Sequence, residues 1–208
     1  AGRIALALRV EIETLTWERI GTPIFWLREA RYALVPEVRL HWSGNVFTFH
    51  LFHECYHQID NEIPGTENFN ILRFGWAKAD YHPGYDYRVE EEYPSWYNRL
   101  GWFLFLSSYP RGGKLDKLQT GADFDYDFGG RARYEAIIKD GRSGWVELSS
   151  IFIGHQHLCF YQRHEGRVGI SLGEKKGILD LFMAYNFYDT TPLRPTQGLS
   201  SFGLGFRF

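Results

Sequence analysis

The stretch Ser200-Ser201-Phe202-Gly203-Leu204-Gly205-Phe206-Arg207-Phe208 decides the fold. Phe202, Leu204, Phe206 and Phe208 alternate with Gly203, Gly205 and Arg207. A period of two puts the four apolar side chains on one face of a strand. The other face carries Gly and Arg, which suits a crowded or watery interior. The start of the chain repeats the pattern. Ile4, Leu6, Leu8, Val10 and Ile12 share one face, while Ala5, Ala7, Arg9, Glu11 and Glu13 share the other. In water, an apolar edge of this kind is usually avoided.

Working inward, the same alternation marks further strands. Leu34, Val38, Leu40 and Trp42 oppose Glu37, Arg39 and His41. A Ser43-Gly44-Asn45 turn leads into a run over 46–57. Leu72, Phe74 and Trp76 form one row, and Leu100, Trp102, Leu104 and Leu106 another. Leu118, Ala122, Phe124, Tyr126 and Phe128 oppose Gln119, Asp123, Asp125 and Asp127. Gly129-Gly130 reads as a turn into a strand over 131–139, and Asp140-Gly141 as a hairpin turn. Strands over 145–160, 168–172 and 179–187 follow. Residues 77–95 and 189–198 read as two outer loops. No stripe of helical period competes with the alternation.

Composition narrows what such a chain can be. Phe 17, Tyr 13 and Trp 7 make 18% of 208 residues aromatic, yet the charged fraction is an ordinary 23%. No run approaches the roughly 20 apolar residues of a membrane-spanning helix. A net charge of -2 gives no basic face for nucleic acid. A barrel that faces lipid with every second residue reconciles aromatic wealth with average polarity. The expected fold is therefore all-β: one domain over 1–208, a transmembrane antiparallel up-and-down β-barrel of about 10–12 strands. The even-number rule for bacterial barrels favours ten or twelve. Trp17, Trp26, Trp42, Trp76, Trp96, Trp102 and Trp145 are read as interfacial girdles.

The C-terminal row resembles the terminal recognition strand of bacterial outer-membrane barrels. That resemblance implies residence in the bacterial outer membrane. It also implies insertion by the barrel-assembly machinery, with Phe202, Leu204, Phe206 and Phe208 as the signal. The start, Ala1-Gly2-Arg3, has no secretory leader and is read as a processed or incomplete beginning.

Chemistry concentrates in two triplets. His53, Cys55 and His57 share a face if 46–57 is one strand, with Asp60 close behind. His155, His157 and Cys159 share a face if 145–160 is one strand. Both cysteines of the chain lie in these triplets. Three readings stay open. One is a Cys55–Cys159 disulfide, as an oxidising periplasm permits. Another is a zinc or copper site drawn from His53, His57, His155, His157 and Cys159. The third is catalysis by His53, Cys55, His57 and Asp60, because a thiolate beside an imidazole is a competent nucleophile. A hydrogen-bonded plug inside the barrel is the plain alternative to all three.

His53-Glu54-Cys55 resembles the His-x-Ser pair of outer-membrane phospholipase A and the outer-membrane lipid A deacylase, with Cys in the Ser position. Tyr56 stands where Asn commonly follows. The run 52–60 is similar to the His-x-Ser-x-His-x-x-Asp run of an uncharacterised group of outer-membrane barrels, with His53, His57 and Asp60 at the matching positions. Beyond the open zinc or copper reading, the sequence leaves the cofactor unknown. The leading expectation is a membrane anchor or a structural, docking component of an envelope assembly, in contact with outer-membrane lipids and a protein partner. A lipid acyl hydrolase with a His-x-Cys pair and a narrow channel or transporter are the alternatives. The face occupied by His53 and Cys55 separates them, since Val46, Phe52 and Tyr56 make the opposite face apolar too.

Overall fold

The computed structural model describes residues 2–18, 25–58, 66–78, 96–110, 124–138, 142–155, 159–174, 177–191, 198 and 200–207. They form ten strands: β1 (Arg3–Glu18), β2 (Phe25–Trp42), β3 (Asn45–Gln58), β4 (Thr66–Lys78), β5 (Trp96–Ser108), β6 (Phe124–Ile138), β7 (Arg142–His155), β8 (Cys159–Glu174), β9 (Gly177–Asp189) and β10 (Ser200–Arg207). No helix occurs among the described residues. Every strand pairs antiparallel with its neighbour in the chain, in the order β1 to β10. This is the up-and-down meander that the alternation predicts.

The two faces of the sheet differ in kind. On the open face stand Ile4, Leu6, Leu8, Val10 and Ile12 of β1, then Leu34, Val38 and Leu40 of β2, continuing to Phe202 and Leu204 of β10. Phe202 is 84% exposed and Leu6 79%, values that water-facing strands rarely sustain. The side chains of Phe206 and Phe208 lie outside the described residues. The other face is buried, and side chains on it meet across an intervening strand, as Arg73 of β4 does Asp127 of β6 and Phe69 of β4 does Phe124 of β6, so the sheet curves over this face.

That buried face is charged, and its charges are neutralised locally. Carboxylates and guanidinium groups two residues apart on one strand point the same way. Arg39 Nε donates to Glu37 Oε1 at 2.6 Å, and Arg167 bonds Glu165. Other pairs reach across strands. Arg73 Nη2 donates to Asp127 Oδ2 at 3.1 Å and Arg73 Nε to Ser107 Oγ at 2.7 Å. Its guanidinium lies 4.2 Å over the Phe105 ring. Just past β5, Tyr109 donates to the same Asp127 oxygen at 2.6 Å. Burial, and then the Asp127 charge, holds its pKa well above the usual phenol value, so it remains a donor. Between the charges sits an apolar cluster of Ala33, Val35, Phe52, Phe69, Ile71 and Phe124. Removing one partner from a buried pair of this kind is costly, because the other charge stays behind uncompensated.

The structure departs from the sequence reading at glycines, at a register shift and at one unsignalled reversal. Ser43 and Gly44 both have positive φ, 49° and 77°, and make a two-residue hairpin turn, so Asn45, read as part of the turn, opens β3 instead. Gly129-Gly130, by contrast, is no turn. β6 runs straight through it, and a Cβ at Gly129 would strike the Ser150 carbonyl oxygen and the Phe105 ring. Gly is there for close approach, not for reversal. The clean alternation over 118–128 is also broken. Phe124 and Asp127 are both buried, and a register shift between Phe124 and Tyr126 changes the phase of the strand. Residues 111–123 lie outside the described residues. The expected single strand over 145–160 is two strands, β7 and β8, with His155 paired to Cys159.

Strand direction corrects the loop assignment. The 43–44 turn and the connection from β4 to β5 lie at one end of the meander, while the connection from β9 to β10 lies at the other. Residues 77 and 78 belong to β4, and β4 and β9 end on opposite sides of the meander; 79–95, 192–197 and 199 lie outside the described residues. Trp42, Trp76 and Trp102 lie at the 43–44 end, while Trp17 and Trp26 are paired at the other end of β1 and β2. Trp42 is exposed, Trp76 meets Trp102 edge-on at 4.9 Å, and Trp76 Nε1 donates to Asn45 Oδ1 at 2.9 Å. Trp145 does not join this belt. It is buried on the charged face, where its Nε1 donates to Ser171 Oγ at 3.1 Å under the Arg133 guanidinium.

Candidate functional site

β3 settles which way the first triplet faces. Phe52 and Glu54 are buried, and Glu54 is bonded to Arg31 at 2.5 Å on the charged face. Strict alternation then sends Leu51, His53, Cys55 and His57 to the open face. Leu51 is exposed there, and so is His53. Glu54, which lies between His53 and Cys55 in sequence, therefore takes no part in their chemistry.

The partner of His53 comes from β4. The register of the β3–β4 pair places Asn70 directly opposite His53. Side chains opposite one another on a common face lie within contact distance. The His53 Nδ1 to Asn70 Oδ1 distance is 2.9 Å. An amide oxygen can only accept, so Nδ1 carries the proton and donates. In the neutral imidazole of that tautomer Nε2 carries the lone pair, and it lies 3.5 Å from Cys55 Sγ. The imidazole thus offers its lone pair to the thiol while the amide fixes its tautomer and orientation. This is the geometry of an activated nucleophile: thiol, base, and a third group that orients the base.

The surroundings divide along the strand. On the side of the 43–44 turn, the open face is apolar. Leu34 pairs with His53, Leu51 pairs with Leu72, and Phe49 with Phe74. Toward the end of β3, Tyr32 stands opposite Cys55 on β2, and its ring meets His57 edge-on at 5.5 Å and 76°. Cys55 sits where the apolar row gives way to a polar rim, three residues before β3 ends at Gln58.

The remaining candidates separate. Cys55 is a free thiol, so the disulfide with Cys159 is not formed, and four strands lie between β3 and β8. The second triplet does not share a strand face. His155 ends β7, Cys159 begins β8, and His157 lies outside the described residues. Of the metal candidates, His53 and His57 lie on β3, His155 ends β7, Cys159 begins β8, and His157 lies outside the described residues. Among the described residues no group of three or more His, Cys, Asp or Glu is placed to hold a metal ion. Asp60 lies outside the described residues, and within them Asn70 holds the place of third member. A signal for it exists in the sequence: Asn70 is the polar residue that adjoins the apolar row Leu72, Phe74, Trp76 at period two. Compared with known protein families, with curated proteins and with solved structures, the chain gives no match in any of the three.

Proposed function

We propose that the chain is an outer-membrane β-barrel carrying a cysteine acyl-cleaving site on its lipid side. Curvature over a buried charged face supports closure of the ten strands into a barrel. Closure is what a sheet with an apolar exterior needs in a bilayer, where no edge can stay unpaired. The open face then meets lipid. The tryptophan belt at the 43–44 end lies at one membrane interface, and the Cys55 rim near the other. The buried charged face fills the interior with paired groups, which argues against an open channel.

The observation that carries the activity is the contact chain Asn70 Oδ1, His53, Cys55 Sγ on that apolar face. Lipid esters reach such a site from the bilayer itself, with the acyl chain along Leu34, Leu51 and Leu72. His53 takes the thiol proton, sulfur attacks the ester carbonyl, and the alkoxide leaves with the proton returned by His53. The product is a lysolipid and an S-acyl Cys55, released by a second nucleophile.

Purified protein in detergent should release fatty acid from phospholipid or lipopolysaccharide, and Cys55→Ala should abolish it. If wild type releases none and forms no S-acyl enzyme, the site is inert. The anchor or docking role, with a fixed protein partner, is then what remains. The barrel has its own test. Heat-modifiable migration with a β-type circular dichroism spectrum is expected, and a helical spectrum would overturn it.

A further inference from the structure

Cys55 is flanked by imidazole on both sides. His53 lies two residues before it and His57 two residues after, on the same face of β3, so each Cα is about 7 Å away. Their environments differ. His53 is held by Asn70 and touches the sulfur, whereas His57 lies against Tyr32, the residue paired with Cys55 across β2. Acyl cleavage by water needs one base, since the group that deprotonates the thiol can serve again for the incoming water. His57 is unused by that cycle. It stands on the rim, on the side of Cys55 away from the apolar row, where a polar acceptor would approach.

We propose that this site transfers its acyl group to the primary amine of a second membrane amphiphile, with His57 as the acceptor-side base. The proposal rests on the acyl-cleavage reading. Its chemical warrant is the sulfur atom. A thioester is far more reactive toward amines than an oxygen ester is, while the two differ little toward water. The amine nitrogen bonds to the thioester carbonyl carbon and passes its proton to His57. The carbon–sulfur bond breaks, and the Cys55 thiolate recovers that proton through solvent. An amide and the free thiol result, with no oxidant or metal required.

The test uses the full chain reconstituted in diacyl phosphatidylglycerol vesicles, with and without phosphatidylethanolamine, with lipid products and intact protein mass followed together. With the amine lipid, N-acyl phosphatidylethanolamine should form in a Cys55-dependent way. His57→Gln should cut that product on the order of 10²-fold, the low end for loss of a general base, while S-acyl Cys55 accumulates. Cys55→Ser should shift the remaining activity toward free fatty acid. Free fatty acid as the sole Cys55-dependent product would overturn transfer and leave acyl cleavage standing. Acylation of the glycerol headgroup instead of the amine would overturn the acceptor assignment. An unchanged product ratio in His57→Gln would remove His57 from the reaction. Absence of both S-acyl enzyme and lipid products would overturn cleavage and transfer together.

Discussion

The β3–β4 region and the β6–β8 region contain the same sequence signals and resolve them in opposite ways. Each holds a His-x-His-x-Cys or His-x-Cys-x-His triplet of period two. In β3 the strand continues through the triplet, and three side chains of one face face outward beside Asn70. Between β7 and β8 the chain reverses inside the triplet, and His155 ends up paired with Cys159 instead of aligned with it. Glycine repeats the contrast. Gly44 completes a turn, while Gly129 sits in the middle of β6 because nothing larger fits. A residue pattern becomes a site only where the strand that carries it remains unbroken and a neighbour supplies the third group.

The largest effect that could break this comparison is at the two cysteines. Cys55→Ala is expected to abolish acyl release, and Cys159→Ala to leave the rate at wild-type level. A loss in both, measured as fatty acid released in micelles, would mean the two regions cooperate after all. Next come the histidines. His53→Ala should cost about 10²–10⁴-fold, the usual contribution of a general base, and His155→Ala nothing. Asn70→Ala should follow at about 10²-fold, the scale of a misplaced catalytic group. A rate indistinguishable from wild type would show that the 2.9 Å contact does not orient His53. The smallest effect sharpens the glycine contrast. Gly129→Ala should destabilise by about 1–3 kcal/mol, as overpacking does. Gly144→Ala, where a Cβ meets open space, should be silent in a urea titration of the heat-modifiable band.

Much of the fold was legible because one face obeys period two. Ile4 to Ile12, Leu100 to Leu106 and Phe202 to Leu204 announce an apolar face without help from any partner. Charge on the other face was legible too, as Glu37-x-Arg39 and Arg133-x-Glu135. The turn after His155 was not, because Gly154-His155-Gln156-His157-Leu158 contains none of the dipeptides that enforce positive φ. Gly129-Gly130 misled for the converse reason: glycine permits a turn and also permits close packing. Within the site, His53 and Cys55 could be placed on one face from spacing alone, but which face depended on which side Glu54 and Phe52 were buried. Asn70 stands 17 positions from His53. Only the register of β3 on β4 brings them together, and register is a property of the pair.

Pairing each strand with its chain neighbour has a kinetic consequence. Contacts between sequence-local segments form fast, because each demands the closure of only a short loop. β3 and β4 can zip as a hairpin before β8 exists in any ordered form, and the Asn70–His53–Cys55 contacts need nothing beyond those two strands. The contacts around Cys55 therefore depend on the local β3–β4 hairpin and on no distant strand.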